Sequence, residues 1–411
     1  MRCSAGSASG PSPPAPGAEP VSAEPMDFGP VLADLDDRGL RRRRRSVRRL
    51  SHETAEIELD GRRCVDFCSN DYLGLSAHPR VTEAFVQAAR EHGVGARASH
   101  LVSGHQSEHE ALEEELAAFT GRERALLFST GYMANLGLAT ALVQKGGAVI
   151  GDALNHASLI DAGRIARAAI AHYPHGDAAV LEHMLSARAP GPALVLTDGV
   201  FSMDGDLAPL PALAAACTRH GAFLAVDDAH GLGVVGDAGR GTLEHFGLGA
   251  REVPALVGTL GKAFGSFGAF VAGDAGPVET LIQRARTYIY TTALPVAVAA
   301  ATRAALAVSI AEAWRRERVL ALTRRFRALA RQADLPLAES TTPIQPILLG
   351  GADAAVAASA KLLERGFYVA AIRPPTVPAG TSRLRIALSA AHRDADVEGL
   401  VTALADCLPR T

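Results

Sequence analysis

The chain has 411 residues, of which 48% are hydrophobic and 21% are charged, and its formal net charge is −3. This length is sufficient for a large core and two domains, and the acidic balance gives no reason to expect nucleic acid as a partner. No apolar run reaches the roughly 18 residues that a membrane-spanning helix requires, so no membrane partner is expected. The cysteines are odd in number and scattered, which favours a reducing compartment, with the cytoplasm as the default.

The cysteine spacing also bears on metals. Cys64 and Cys68 form one pair, but no second pair of cysteines or histidines lies close in the sequence. A structural zinc site usually takes two such pairs, so no metal is expected.

The N-terminal region changes character at Met26. Residues 1–25 consist largely of Pro, Ser, Ala and Gly, which predicts a disordered extension and leaves Met26 as a candidate start of the functional chain. Residues 26–63 form a predicted N-terminal helical segment, and the run Arg41-Arg42-Arg43-Arg44-Arg45 is predicted to continue its helix. The run is open to three interpretations: a solvated helix end, an anion-binding wall for a small substrate, or a nucleic-acid contact.

Residues 64–300 alternate short apolar runs with helical patterns, which is typical of an α/β domain with a mainly parallel sheet and helices on both faces. The remaining residues, 301–411, predict a smaller C-terminal α+β domain, with two apolar runs flanking a helix at Ala352–Arg365. Six strands are predicted for the larger domain: Ala125–Ser129, Ala148–Gly151, Ala193–Thr197, Phe223–Val226, Ala255–Gly258 and Gly268–Ala272.

Lysine is rare in this chain, and arginine takes its place at most basic positions. The three lysines are Lys145, Lys262 and Lys361. Lys262 lies in GTLGKAFG, among small residues directly after a predicted strand, where a buried amine has a lowered pKa and can form a Schiff base. Lys262 is therefore the candidate catalytic lysine, although a loop lysine without a role remains the alternative.

The segment VDDAHGLGVVG places Asp227 and His230 at the end of a predicted strand. Its glycines match a dinucleotide-binding pattern, but the residues that follow are poor helix formers, so a nicotinamide site is not expected. A carboxylate beside a pyridine nitrogen keeps that nitrogen protonated, which favours Asp227 as a cofactor ligand. A loop or helix-capping acid is the alternative for Asp227 and its neighbour Asp228.

A phosphate site is predicted where a strand passes into a helix at Ser129–Asn135. Free backbone N–H groups at Gly131 and Tyr132 would meet an anion at the helix N-terminus, and the hydroxyl of Thr259 would add a donor. His156 follows another strand and is a candidate to cover a cofactor ring, with a helix N-cap as the alternative.

Together these segments resemble the α-oxoamine synthases, a family of pyridoxal 5'-phosphate (PLP) enzymes of fold type I. The resemblance runs from about Leu35 to the C-terminus and rests on six motifs: SNDYLGL (Ser69–Leu75), STGYMAN (Ser129–Asn135), NHASLIDA (Asn155–Ala162), DGVFSMDGDLAPL (Asp198–Leu210), VDDAHG (Val226–Gly231) and TLGKAFG (Thr259–Gly265). It implies a large PLP-binding domain with a mainly parallel seven-stranded sheet, and a cytoplasmic homodimer with shared active sites.

The resemblance also implies roles for individual residues. Lys262 would bind the cofactor as a Schiff base and act as the general base, Asp227 would pair with the pyridine nitrogen, and His156 would stack on the ring. His230 and Ser202 would lie near its phenolic oxygen. The phosphate would be bound by Gly131, Tyr132, Thr259 and, from a neighbouring subunit, Thr292. The substrates would be contacted by Asn70, His156, Arg385, Thr376 and Arg44 or a neighbouring arginine.

Within the family, the segment AIRPPTVPAGTSRLRIALSAAH (Ala371–His392) favours the branch that joins L-alanine to a pimeloyl thioester, either pimeloyl-CoA or a pimeloyl-carrier protein. A sister synthase that uses glycine or serine with another acyl-CoA is the alternative. An aminotransferase and a nucleic-acid-binding protein also remain open. One departure from the family is GVGARASHLVSG (Gly93–Gly104), where Arg97 stands in a segment that relatives fill with Gly and Ser.

Overall fold

The computed structural model describes residues 26–143 and 146–408. The predicted disordered extension 1–25 and Lys145 therefore lie outside the described residues. The chain divides into two units between Arg43 and Arg44. Within the second unit, the predicted boundary between the domains 64–300 and 301–411 stays a prediction.

The described part of the first unit contains helix α1 (Gly29–Asp37), which buries none of its residues. The prediction that the arginine run continues this helix is wrong. The chain turns at Gly39, whose φ of +60° lies in the left-handed region that favours glycine. The N–H groups of Gly39 and Leu40 donate back to the carbonyls of Asp36 and Leu35, which closes the last turn before the arginines begin.

The second unit contains a short π-helical turn, His100–Gly104, together with thirteen α-helices and fourteen β-strands among its described residues. The helices are α2 (Pro79–His92), α3 (Ser107–Thr120), α4 (Gly131–Leu142), α5 (Ala157–Ile165), α6 (Ala178–Ala187), α7 (Leu210–Arg219), α8 (Thr242–Phe246), α9 (Ala275–Arg284), α10 (Arg286–Ile289), α11 (Val296–Ala311), α12 (Trp314–Gln332), α13 (Ala352–Glu364) and α14 (Asp394–Cys407). The strands are β1 (Val47–Arg49), β2 (Glu56–Leu59), β3 (Arg62–Asp66), β4 (Arg124–Phe128), β5 (Ala148–Asp152), β6 (Ala169–Tyr173), β7 (Ala193–Asp198), β8 (Phe223–Asp227), β9 (Ala255–Thr259), β10 (Ala269–Gly273), β11 (Ile344–Gly350), β12 (Phe367–Tyr368), β13 (Ala370–Ile372) and β14 (Ser382–Ala387).

The main sheet has seven strands in the order β4-β10-β9-β8-β7-β5-β6. Only β10 runs against its neighbours β4 and β9, while the pairs from β9 to β6 are parallel. Strands β7 and β8 are almost completely buried, because helices cover both faces of a parallel sheet. The predicted mainly parallel seven-stranded sheet is confirmed.

Parallel strands end at the same edge of a sheet, and the register brings the chemically active residues to that edge. Asp198 pairs with Asp227, which pairs with Val257. Phe128 and Thr259 both pair with Ala269, so the start of α4 and the residues after β9 leave the sheet at one level.

Two smaller sheets complete the second unit. Strands β1, β2, β3 and β12 form one, and the antiparallel strands β11, β14 and β13 form the other. The latter carries Arg383 and Arg385 on β14 and packs against helix α13, which contacts α14. Across the described residues, no single helix has the length and hydropathy to cross a membrane, although α11 and α12 pass that test jointly across a 69° bend.

Candidate active site

Lys262 lies in the connection between β9 and β10, which is a hairpin rather than a crossover. The N–H of Leu260 donates to the carbonyl of Gly268 at 2.9 Å, and the N–H of Gly265 donates to the carbonyl of Lys262 at 2.8 Å. A Cβ at Gly265 would lie 2.3 Å from the backbone N of Ser76, so only glycine permits this approach of the chain to the SNDYLGL segment.

The amine of Lys262 contacts a buried histidine. Its Nζ lies 2.8 Å from Nε2 of His230, whose residue is 6% exposed. Burial lowers the pKa of Lys262 to about 8, although the Asp227 carboxylate opposes this shift. Burial, together with the nearby charges of Lys262 and Arg385, holds the pKa of His230 well below its ordinary value. A neutral imidazole therefore faces an amine that is partly deprotonated at physiological pH.

A hydrogen-bonded chain connects this amine to Arg385. Nδ1 of His230 lies 2.7 Å from the hydroxyl of Tyr72, and that hydroxyl donates to Oδ1 of Asn70 at 3.3 Å. The guanidinium of Arg385 donates to the same Asn70 oxygen at 3.2 and 3.3 Å and to the carbonyl of Ser202 at 2.6 Å. The structure thus brings the predicted residues Lys262, His230, Asn70, Ser202 and Arg385 together.

Asp227 is fixed by a second set of contacts. Its Oδ2 accepts from Nδ2 of Asn135 at 2.7 Å, and its Oδ1 accepts from the N–H of Ala229 at 3.0 Å. Asn135 Nδ2 also donates to the hydroxyl of Ser158 at 2.8 Å. The same hydroxyl lies 2.7 Å from Nδ1 of His156, so Asp227 and His156 share two connecting residues.

The helix-cap alternative for His156 is correct, because its Nδ1 accepts from the N–H of Ser158 at the start of α5. Its own N–H donates to Asp198 at 2.6 Å. Burial of the ring lowers the pKa of His156, and burial raises the pKa of Asp198 well above its ordinary value. This N-cap contact does not test whether the His156 ring stacks on a cofactor, so that role stays a prediction.

Asp228, directly beside Asp227, binds the backbone at the start of a helix. Its Oδ2 accepts from the N–H of Thr242 at 2.6 Å, at the first residue of α8, and the residue is fully buried. Burial raises the pKa of Asp228 to about 7. A Cβ at Gly231 or Gly241 would collide with this carboxyl, so these two glycines make room for Asp228.

Two of the predicted phosphate ligands, Gly131 and Tyr132, are the first residues of α4. Gly131 is its first residue, and the space beside Gly131 is open, since a Cβ there would meet no atom within 4 Å. The hydroxyl of Tyr132 donates to Asp161, and the Thr259 hydroxyl donates to the carbonyl of Gly268 at 3.2 Å. The N–H groups of a helix start, the Thr259 hydroxyl, a lysine amine and a buried carboxylate that can accept from a pyridinium N–H are a set of groups that fits PLP.

Three of the predicted residues lie at the protein surface. Arg44, Thr292 and Thr376 are all exposed, and the N–H of Thr376 donates to the carbonyl of Arg373 at 3.1 Å. Their roles toward substrate or a neighbouring subunit stay predictions. Arg97, the departure from the family pattern, has a φ of +69°, in the region that glycine adopts most easily.

Three buried residues that contact the site were not predicted from the sequence: Tyr72, Asn135 and Asp198. Two of them, Tyr72 and Asn135, lie inside motifs quoted for the resemblance, and Asp198 begins a third. A polar side chain within an otherwise apolar or small-residue motif is the signal that points to them, but their partners are 158, 92 and 42 positions away.

Comparison with known proteins assigns this chain to a protein family. A family model described as aminotransferase class I and II matches residues 62–404. The chain therefore belongs to the class I and II aminotransferase family.

Within that family, two relatives of high identity carry the same activity name. The chain is 57% identical over 387 residues to an 8-amino-7-oxononanoate synthase of Methylococcus capsulatus, covering 94% of this chain and 100% of the relative. It is 58% identical over 379 residues to the synthase of the same name from Thioalkalivibrio sulfidiphilus, covering 92% and 96% of the two chains. It groups with the 8-amino-7-oxononanoate synthases, and the resemblance to the α-oxoamine synthases is confirmed.

Solved structures agree with this placement. A serine palmitoyltransferase from S. paucimobilis, solved with a PLP adduct, has a TM-score of 0.88 at 31% identity, covering 92% of this chain and 97% of that chain. The 8-amino-7-oxononanoate synthase of Francisella tularensis has a TM-score of 0.73 at 31% identity, covering 84% and 97%. The fold is that of fold type I PLP enzymes.

Proposed function

We propose that this protein joins L-alanine to a pimeloyl thioester, giving 8-amino-7-oxononanoate, carbon dioxide and the free thiol carrier, as a step of biotin biosynthesis. A carbon–carbon bond forms between the alanine Cα and the thioester carbonyl, the carbon–sulfur bond breaks, and the alanine carboxylate leaves as carbon dioxide. The observation that carries this proposal is the 57% identity, over 94% of the chain, to a synthase of that name.

PLP is the cofactor of this reaction. When bound, it supplies an aldehyde that takes an amine and a pyridinium ring that withdraws negative charge from the amino-acid Cα. Lys262 would hold it covalently, Asp227 would pair with the ring nitrogen, and Gly131, Tyr132 and Thr259 would bind its phosphate. Asn135 holds the Asp227 carboxylate by a 2.7 Å hydrogen bond, which fixes the orientation that such pairing requires.

Lys262 is also suited to move the Cα proton. An amine with a pKa of about 8 is partly deprotonated near neutral pH, so it can accept a proton and its conjugate acid can return it. The 2.8 Å contact to His230 directs its Nζ, because the imidazole is itself held by Tyr72. His230 and Tyr72 are buried, which limits the water that can reach this side of the amine.

Arg385 would bind the alanine carboxylate. Arg385 is 6% exposed, and Asn70 and Ser202 orient its planar guanidinium. A bound carboxylate would replace the Asn70 oxygen as the partner of Nη1 and Nη2 and form paired hydrogen bonds. Arg44 or a neighbouring arginine, with Thr376, would line the path of the acyl substrate. Their exposure suits residues that meet a large carrier at the protein surface.

A sister synthase would share the fold and the lysine, and product analysis distinguishes the two activities. Purified enzyme with PLP should convert L-alanine and pimeloyl-CoA into a product with the mass of 8-amino-7-oxononanoate. Carbon dioxide release should be weak with glycine or serine and with acetyl, succinyl or palmitoyl thioesters. Faster turnover of any of those pairs would replace the proposal with that synthase activity.

An aminotransferase and a nucleic-acid-binding protein are distinguished by separate tests. An aminotransferase would convert PLP to a stable pyridoxamine form with an amino donor alone, and the proposed synthase should not. A nucleic-acid-binding protein would bind nucleic acid in a salt-dependent manner, and deletion of residues 41–45 would abolish that binding.

The assembly, carrier and compartment belong to the same proposal. We infer a cytoplasmic homodimer with shared active sites, supported by large exposed apolar side chains at Val94, Val102 and Tyr290 (87%, 78% and 71% exposed). Mixing inactive Lys262→Ala with a Thr292→Ala variant should restore activity if Thr292 serves the partner's site. A comparison of pimeloyl-CoA with a pimeloyl-carrier protein identifies the carrier from the lower KM.

A further inference from the structure

Three histidines form a cluster that the proposed reaction does not use. His100 and His105 lie at the two ends of the π-helical turn His100–Gly104, and His109 follows in the first turn of α3. One ring nitrogen from each lies within 4.8 Å of the others. The cysteine spacing predicted no metal, but these histidines are a different set of donors.

The positions of the rings match those of imidazoles around one ion. The three centroid distances are 5.1 Å for His100–His105, 5.2 Å for His100–His109 and 5.6 Å for His105–His109. Imidazoles bound to a tetrahedral zinc ion, with nitrogen–metal bonds of roughly 2.0–2.1 Å, have ring centres about 5 Å apart. The near-equilateral triangle is therefore close to the geometry of a three-histidine site.

A backbone carbonyl already orients the ring of His109. Nε2 of fully buried His109 lies 2.6 Å from the carbonyl of Leu294, which sets its tautomer, with the proton on Nε2 and the lone pair on Nδ1. Such a backbone carbonyl behind the ring is the usual support of a metal-bound histidine. Nδ1 accepts from the N–H of Gln106 at 3.0 Å, and a metal at Nδ1 would replace that hydrogen bond.

The other two ligands face each other directly. Nδ1 of His100 and Nδ1 of His105 are 2.9 Å apart and share one hydrogen. An ion that bound both lone pairs would move this hydrogen to Nε2 of the same ring, so no proton has to be released. His100 stays in place through stacking on Tyr288, with ring centroids 5.0 Å apart.

We propose that His100, His105 and His109 bind one divalent transition-metal ion of the zinc class, with water completing a tetrahedral site. The ion connects the Gly93–Gly104 segment, which contains Arg97, to α3. The same segment bridges to Thr292 through Ser99, and its Ala98 carbonyl accepts from the N–H of Ala293. The metal would therefore stabilise the surface around Thr292.

The test measures metal binding directly. Tag-free protein, stripped with chelator and dialysed, is titrated with Zn²⁺ by calorimetry and with Co²⁺ by visible absorption. Wild-type protein should bind one ion per chain, with the intense d–d bands of tetrahedral Co²⁺, without a thiolate-to-metal band, and with a raised melting temperature. His105→Asn should weaken binding by about 100-fold, and it should fold normally because His105 is exposed.

The matched control is His183→Asn, which removes another exposed histidine and should bind like wild type. The proposal is overturned if wild-type protein binds no ion, if His105→Asn binds as tightly as wild type, or if the Co²⁺ bands are octahedral or show thiolate ligation. None of these measurements depends on catalytic activity, so the failure of either proposal leaves the other intact.

Discussion

The site around Lys262 differs from a wide cavity between α2, α3 and α11. The cavity has a volume of about 970 Å³ and is lined largely by alanines and long polar side chains. Its Arg303 forms ion pairs with Glu108 and Glu115 at 2.8 and 2.7 Å, which raise the arginine pKa further. The amine of Lys262 faces a neutral imidazole instead, and its pKa falls to about 8.

This contrast shows what marks a reactive site. Volume alone does not, because none of the described lining residues of that cavity belongs to the network around Lys262. A reactive site is marked instead by strand ends that meet at one edge of the sheet and by buried ionisable groups whose pKa values are shifted. Four substitutions test the contrast.

The largest effect is expected for Lys262→Ala. The variant loses both the covalent attachment of PLP and the general base, so turnover should fall by roughly 10⁴-fold or more. The absorbance band of lysine-bound cofactor should also disappear. The matched control is Lys361→Ala, which removes an exposed lysine of α13 and should change neither measurement. Turnover and an unchanged band in Lys262→Ala would refute the assignment.

The adjacent carboxylates provide the second test. Asp227→Asn removes the charge that would keep the pyridine nitrogen protonated, and turnover should fall by about 10²-fold or more. Asp228→Asn should keep turnover within about tenfold, because this carboxyl holds the start of α8 and is already partly neutral with a pKa of about 7. Steady-state kcat with saturating PLP measures both, and equal losses would contradict the difference in roles.

A smaller effect is expected for Arg385→Lys. Lysine keeps the charge but loses the paired hydrogen bonds to a carboxylate, so KM for L-alanine should rise by about 10- to 100-fold. The KM for the thioester should change little. Arg303→Lys makes the same exchange in the cavity and should leave both KM values unchanged. An alanine KM that rises equally in the two variants would place carboxylate binding elsewhere.

The smallest effect concerns stability. His175 lies between Asp152 and Asp206, with nitrogen–oxygen distances of 3.1 and 2.9 Å. Hydrogen bonds to these carboxylates raise the pKa of His175 to about 10. His175→Gln should therefore lower the free energy of unfolding by about 2 kcal/mol near pH 6.

The sign of the pH dependence follows from the raised pKa. The stabilisation is fully present below the unfolded pKa of about 6.5 and is lost as the pH rises through about 10, so the two proteins should converge at alkaline pH. Urea unfolding across this range measures the difference. The exposed His183→Gln variant is the control, and a difference that stayed constant with pH would exclude a charged His175 as its cause.

Much of the fold follows from local sequence. Six of the seven main-sheet strands were predicted to within about two residues, because buried parallel strands are short apolar runs between turn signals. The seventh, β6, is an edge strand with four of its five residues at least partly exposed, and its AIAHY sequence lacks that signal. The arginine run was misassigned because Gly39 ends the helix just before it.

The site was predictable as a set of residues but not as a network. Asp227 ends β8, His230 and Lys262 follow strands β8 and β9, and all three side chains are types whose chemistry the sequence displays. Tyr72 and Asn135 act through contacts with residues 158 and 92 positions away, and only the assembled sheet brings these pairs together. Spacing along the chain carries no information about such contacts.

The hairpin between β9 and β10 determines how little freedom Lys262 retains. Because β10 runs back beside β9, both ends of the connection are joined by hydrogen bonds, and the backbone at Lys262 is ordered once the sheet has formed. The conformational entropy of that backbone is lost during folding and not again when substrate arrives. Only the Lys262 side chain has to move when the residue changes from covalent attachment of the cofactor to general base. This movement requires rotation about four carbon–carbon bonds and no displacement of the sheet.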